Sequence, residues 1–442
     1  MLKRLIPILL AVYVFLPFHV SALSGDETDR HAYTMILKKE LDQASIQETI
    51  LQLEQAVPRS SIEYMKELKI VHLTGLTEAE FITAAKKTGN SYECFQKVAP
   101  VQADASVSSF YNPLFMQRFT DYNWYFDVIY ESPKNIPSDP RASQIKIGVL
   151  DSGLDRNHPI FKQVNWRLAK NYTSDSERDL KDNMGHGTMV AGIIAAVAPS
   201  VTIVPYKVMD QGSGESAWVI KAIVDAANDG MDVVNLSLGT YKKMSDAEQA
   251  ATIEAYERAL AYAKSKNTIL VASAGNQSSD LDALKEVENT VHLPGGSANV
   301  LTVGSTLRGH KVAPYSNSGR ELDFVAPGGY FGEDYDETSI IDPSALLIAP
   351  YPKYLLQNPI DHSVNLSNGY TLNFGTSLSV PQVSGAAGLI KHRLNSKKAY
   401  GNTEQAVIEA LKAGALDIGA PGKDPASGFG EINIHRSLSL IK

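Results

Sequence analysis

Cysteine is nearly missing from this sequence: Cys94 is the only one in 442 residues. A single thiol cannot bridge within the chain, so no internal disulfide supports the fold. Basic excess is missing as well. The formal net charge is -8, which supplies no cationic face and argues against a nucleic-acid partner. Internal repeats and low-complexity tracts are absent, and 44% apolar against 20% charged residues is ordinary for a globular protein. Only one long apolar run occurs. Lys3 and Arg4 precede Leu5–Val20, and Val20-Ser21-Ala22 closes it with a small residue. That is the tripartite pattern of a secretory signal peptide over residues 1–22. An N-terminal membrane anchor is the alternative. The run is shorter than the ~20 residues that span hydrocarbon, and Pro7 and Pro17 interrupt it. The stretch from Ile432 to Lys442 shows no second hydrophobic span. The expectation is a protein free in the extracellular medium, with no membrane contact after signal removal.

The remainder of the chain divides in two. Up to about residue 100 it is rich in Lys and Glu and poor in Gly. Thr34–Leu37 and Lys69–Leu73 read as strands and Ser45–Ala56 as an amphipathic helix. Thr77 with Glu80 three residues on is a capping-box signal for a helix to Lys87. An extended, helix-poor stretch, Val98–Ser109, comes next and is a candidate processing site. From Gln144 the pattern changes to apolar strands separated by helices. Ile145–Leu150, Val201–Val208, Asp232–Leu236, Thr268–Ala272 and Val300–Val303 read as strands. Ser216–Asn228 and Asp246–Lys264 read as helices. Strands of that kind imply a mostly parallel sheet covered on both faces, a three-layer α/β domain. Sites in such sheets form at the C-terminal ends of strands.

Chemistry-bearing residues fall at those ends. Asp151 closes the first strand in Val149-Leu150-Asp151-Ser152-Gly153. His186 sits in Gly185-His186-Gly187-Thr188 before an apolar helix, and Ser377 in Gly375-Thr376-Ser377 before another. Singly, these are a turn-capping acid, a loop histidine and an N-cap serine. Together they are a nucleophile that needs a base, the base, and a carboxylate to orient it. Asn276, in Ala274-Gly275-Asn276, adds a side-chain amide suited to an oxyanion, a contact worth about 2.7–4 kcal/mol. The backbone N–H of Ser377 is the second donor. The chain order Asp…His…Ser on an α/β scaffold is the subtilisin order.

All four strings resemble the subtilase family, and the likeness runs from about Ile145 to Leu440. It implies a subtilisin-like catalytic domain over 103–442. It also implies that residues 23–102 are a small α+β ferredoxin-like prodomain that assists folding and then inhibits its own enzyme. Gly212-Ser213-Gly214 and Ser237-Leu238-Gly239 look like the two segments that pair with a bound peptide backbone, a mode that gives affinity without side-chain selection. Within the family the chain is most similar to the lantibiotic leader peptidases. That narrower resemblance rests on Ser216–Ile223, Asp232–Gly239, Tyr262–Lys266 and the Tyr/Pro-rich insertion Gly329–Leu372.

Two departures stand out. Many leader peptidases carry an Asp in the S1 pocket, two residues before a proline, that selects Arg. Val291-His292-Leu293-Pro294 puts His292 at that place. Protonated, it attracts an acidic side chain; neutral, it donates a hydrogen bond to Glu or Gln. A surface histidine unrelated to specificity is the alternative. Gln96, Gln102 and Asp104 are candidate self-cleavage positions on the first reading. The second departure is that Ile193–Ala196 runs straight into Val197-Ala198-Pro199, where familiar subtilisins insert a calcium loop. No other run has calcium-loop spacing, so neither metal nor cofactor is expected.

The expected protein is a monomeric secreted serine endopeptidase that cuts a peptide or modified precursor peptide. A broad-specificity degradative subtilisin and a non-catalytic peptide-binding relative are the competing readings.

Overall fold

Along Lys146–Asp151, Ile147 and Val149 point to one face of a sheet while Leu150 points to the other, as the two-residue period of a strand requires. The chain builds a core on each side accordingly. The structure, a computed structural model, describes residues 31–397 and 404–441 apart from 90, 98–99, 104–120, 162, 174–175, 177–178 and 211. The expected signal peptide, residues 1–22, and Asp104 therefore lie outside the described residues.

The N-terminal unit comprises β1 (His31–Leu37), α1 (Gln43–Glu54), β2 (Ile62–Met65), β3 (Ile70–Leu76), α2 (Glu78–Lys87) and β4 (Tyr92–Lys97). Its sheet has the order β2-β3-β1-β4 with every pair antiparallel. The expected capping box forms, with Thr77 and Glu80 each bonding the other's backbone N–H. Helix α1 starts two residues earlier than the sequence suggested because Asp42 is its N-cap, accepting from Ser45 N at 2.8 Å. Strands β2 and β4 escape a reading of the sequence. Both are short and mix charged with apolar residues. Gln96, one of the candidate cleavage positions, pairs with Thr34 inside β4, an edge strand of this sheet.

The larger unit holds a central eight-stranded sheet. Its strands are β6 (Lys146–Asp151), β7 (Lys170–Asn171), β8 (Thr202–Lys207), β10 (Val233–Leu236), β12 (Ile269–Ser273), β14 (Leu301–Leu307), β15 (Lys311–Val312) and β16 (Leu322–Pro327). The path is β15-β14-β12-β10-β6-β8-β7, with β16 also on β14, and only β15 runs antiparallel. The five strands read from sequence each begin one residue later than expected. Helices α3 (His186–Val197) and α6 (Thr376–Lys397) cover one face through Val190, Ile193, Val383 and Ile390. Helices α4 (Ser216–Asn228) and α5 (Ala247–Ser265) cover the other through Val219, Ile223, Ala255 and Ala259.

The two units share surface. Ile36, Met65, Leu68 and Ile70 of the small unit belong to the core beneath α4 and α5. Around them Arg258 of α5 donates to the carbonyls of Leu68 and Leu37, at 3.0 and 3.4 Å. Lys39 pairs with Glu254, and Lys221 with Glu63. Beyond β4 the chain enters a second four-stranded sheet, ordered β13-β11-β5-β9. It is formed by β5 (Pro100–Ala103), β9 (Ser213–Glu215), β11 (Leu238–Lys243) and β13 (Thr290–Leu293). The boundary drawn between residues 102 and 103 thus falls inside a strand. A hairpin of β17 (Leu347–Pro350) and β18 (Tyr370–Asn373) packs beside the central sheet.

Candidate active site

Asp151 ends β6 and is buried; its Oδ1 accepts from Ser152 N and from His186 Nδ1, both at 2.7 Å. A carboxylate only accepts, so this contact assigns the proton to Nδ1 and leaves Nε2 as the basic nitrogen. His186 is the first residue of α3 because the preceding loop is capped from within. The buried carboxylate of Asp182 accepts from Ser152 Oγ (2.8 Å), Met184 N (3.1 Å) and Gly185 N (2.7 Å) through Oδ1. Through Oδ2 it accepts from Thr188 N (2.8 Å) and Thr188 Oγ1 (2.6 Å). Ser152 Oγ in turn accepts from Gly187 N at 2.9 Å. The neighbours of Asp151 and of His186 are therefore tied to one buried acid. Sequence reading missed Ser152, Asp182 and Thr188; the only local signal was an Asp and a Thr flanking Gly185-His186-Gly187.

Ser377 occupies the first turn of α6 and is fully buried. Its N–H is among the first four helix amides, which have no intrahelical acceptor. Pro381 lies four residues on and has no N–H to give, so the Ser377 carbonyl lacks its usual helical partner. Ser237 Oγ donates to that carbonyl at 2.9 Å. Asn235 Nδ2 donates to Ser237 Oγ at 3.0 Å, and Ser384 Oγ to Asn235 Oδ1 at 2.9 Å. A chain of polar groups thus links the Ser377 backbone to the strand beside it. Asn276 is brought to the same helix start. Its Oδ1 accepts from Thr376 N (2.9 Å) and Thr376 Oγ1 (2.8 Å), which turns the Nδ2 donors to the opposite side of the amide.

The two expected walls flank a strand of the chain itself. β5 runs antiparallel to both, with Gln102 opposite Ser213 and Gly239, Val101 opposite Gly214, and Ala103 opposite Leu238. Ser237 is the next wall residue toward Ser377. Gly212 lies just before β9, outside the paired register. His292 lies beneath this wall, paired with Tyr241 across β11 and β13 and with ring centroids 4.7 Å apart. Its ring is so close to Gly239 that a Cβ there would come 2.2 Å from Nε2. It is not a surface residue, being 2% exposed, and neither ring nitrogen has a hydrogen-bond partner among the described residues. Burial lowers its pKa to about 4, so the unliganded ring stays neutral in mild acid. In the unliganded protein the ring is therefore a neutral hydrogen-bond donor and acceptor.

α3 runs unbroken to Val197. Among the described residues no three His, Cys, Asp or Glu side chains gather as metal ligands, and no helix is long and apolar enough to cross a membrane.

Comparison with known proteins converges on one family. The model of the subtilase family matches residues 142–430, well over half of the chain. The epidermin leader peptide-processing serine protease of Staphylococcus epidermidis is 28% identical over 353 residues, covering 66% of this chain and 74% of that protein. The nisin leader peptide-processing serine protease of Lactococcus lactis subsp. lactis is 27% identical over 380 residues, covering 73% of this chain and about half, 53%, of its own length. Among solved structures, a crystal structure of a lanthipeptide protease is 36% identical with a TM-score of 0.69, covering 76% of this chain and all of that one.

Proposed function

The chain belongs to the subtilase family and is a subtilisin-type serine endopeptidase, and from that premise we propose that it removes the leader peptide from a lantibiotic precursor outside the cell. In this reading Ser377 Oγ attacks the scissile carbonyl carbon while His186 Nε2 takes its proton. Asp151 stabilises the imidazolium that results. The oxyanion is held by Asn276 Nδ2 and the Ser377 N–H at a helix N-terminus. The C–N bond breaks as His186 returns the proton to the leaving amine, and water then cleaves the acyl-enzyme by the same route. No metal or cofactor takes part.

The observation that carries this reading is the 2.7 Å Asp151–His186 contact, set beside a cleft whose walls already pair with a peptide strand. That strand supports a second part of the proposal. Residues 1–22 are the signal peptide, and residues 23–102 are a ferredoxin-like inhibitory prodomain, as the order β1-α1-β2-β3-α2-β4 suggests. Its tail leads into the cleft, and the enzyme cuts itself just past β5, with Asp104 before the scissile bond. An acidic residue there agrees with His292, whose two unpartnered nitrogens suit Glu, Gln or Asp. Burying Arg with no carboxylate to pair it would instead cost several kcal/mol.

The test is incubation with candidate precursors and mass spectrometry of the products, with casein in parallel. Indiscriminate casein hydrolysis with no single precursor cut would favour a degradative subtilisin. Matched peptides differing only before the scissile bond, assayed on wild type and His292→Asp, test the pocket. Fastest cleavage of the Arg peptide by wild type would remove His292 from it.

A further inference from the structure

The loop leading into His186 is gripped from outside the triad. Its amides point inward to the Asp182 carboxylate, but two of its carbonyls point the other way and are met by phenols. Tyr354 donates to Asp182 O and Tyr351 to Met184 O, both at 3.1 Å. Both tyrosines belong to the insertion between β17 and β18, some 170 residues along the chain from this loop. Tyr351 is 1% exposed, and its ring fills the space where Gly185 lacks a side chain: a Cβ there would lie 1.6 Å from Cε2. Gly185 has φ +85°, a backbone conformation that glycine adopts without strain.

The insertion is anchored on both sides of this contact. Pro350 packs on Gly192 of α3, where a Cβ would come 2.4 Å from Cγ. Tyr351 N donates to Gly369 O at 3.1 Å, and His158 Nε2 donates to the same carbonyl at 2.7 Å. His158 belongs to the segment just after Asp151. The hairpin therefore braces the chain after the acid and the chain before the base together. Burial raises the Tyr351 phenol well above its ordinary value, with the Asp182 and Asp361 charges adding to the effect, so it remains a donor.

We propose that Tyr351, assisted by Tyr354, is a positioning residue for the general base, making the insertion part of the catalytic framework. The proposal rests on His186 acting as that base. Among the described residues none of the hydrogen bonds of either tyrosine reaches β9 or β11, so the effect falls on the chemical step and not on peptide binding. Small displacements of a proton-transfer group are costly: about 1 Å is worth roughly a hundredfold.

The experiment uses the mature enzyme, with Tyr351→Phe, Tyr354→Phe and the double variant, which keep the rings and remove only the hydroxyls. We expect the double variant to lose roughly tenfold in kcat with KM unchanged. The acid limb of its kcat/KM profile should move by about half a pH unit, and fluorophosphonate labelling of Ser377 should slow in parallel. Tyr351→Ala should lose more, and if it fails to fold the phenylalanine pair still decides. A folded double variant with wild-type kcat and an unmoved acid limb would overturn the proposal alone. So would a loss confined to melting temperature. If His186→Ala labels at Ser377 as fast as wild type, the general-base assignment falls and takes this inference with it.

Discussion

The unit spanning residues 31–97 has only antiparallel strands and packs α1 and α2 on one face, whereas the larger unit has a parallel sheet with helices on both. The difference shows in where each finds its second layer. Alternation along β1 and β3 sends Met35, Val71 and Leu73 into the small unit's own core and Ile36 and Ile70 into its neighbour's. The small sheet thus leaves one face to be covered by the helices of the larger unit. A domain of this size buries only about 60% of the surface its unfolded chain exposes and is marginal alone. The larger unit receives Ile36, Met65, Leu68 and Ile70 against α4 and α5, and β5 in its cleft. The small unit thus relies on the larger one for its second layer.

The largest blow to that relationship is Ser377→Ala. Loss of the nucleophile should cost roughly 10⁶-fold in kcat and leave the small unit covalently attached. Normal processing of the purified variant, read by mass spectrometry, would mean that another protease makes the cut. Arg258→Ala comes next, since it removes two charge-assisted hydrogen bonds to the small unit's carbonyls. At about 1.5–3 kcal/mol for one such bond, loss of the 3.0 Å contact to Leu68 alone should let the cut segment dissociate roughly ten- to a hundredfold more readily. Unchanged retention on dilution would make the apolar contacts alone responsible.

His72 gives a pH-dependent version of the same test. It lies on β3 beside Ile70 and is buried. Burial lowers its pKa to about 4, with Glu63 opposing and Lys221 reinforcing the shift. A freed segment binds a proton below the ordinary value of about 6.5 that the docked one refuses down to about 4. Docking is therefore strongest above the ordinary value and weakens as pH falls through that window, by about tenfold at most between pH 6.5 and 5.5. His72→Gln should flatten this profile, and an unaltered profile would exclude His72 as its source. The smallest effect expected is that of EDTA on the mature enzyme. A needed cation stabilises by mass action, so a drop of several degrees in melting temperature, restored by calcium, would disclose a site in the larger unit.

Much of this was legible in the residues. Five strands of the central sheet are largely apolar runs bounded by turn signals, while β7, β15 and β16 were not read, and the capping box at Thr77 is a local pattern with a local cause. The Asp151, His186, Ser377 and Asn276 strings could be recognised because each couples a reactive side chain to small neighbours at a strand or helix end. Less was legible where pairing is short or remote. β2 and β4 are short and interleave charged with apolar residues, and the pairing of Gln96 with Thr34 has no local signal.

Local pattern thus determined element types and capping residues, which depend on spacings of two to four residues, and it marked out the candidate reactive groups. The supports of those groups were decided by tertiary structure. Ser152 meets Asp182, Ser384 meets Asn235, and Tyr351 meets Met184. These partners stand 30, 149 and 167 residues apart in the chain. Such contacts have no period to read. They exist because crossover connections lay β6 beside β8 and β10 and fold the β17–β18 hairpin onto α3, and a hydrogen bond is satisfied by whatever donor the topology delivers.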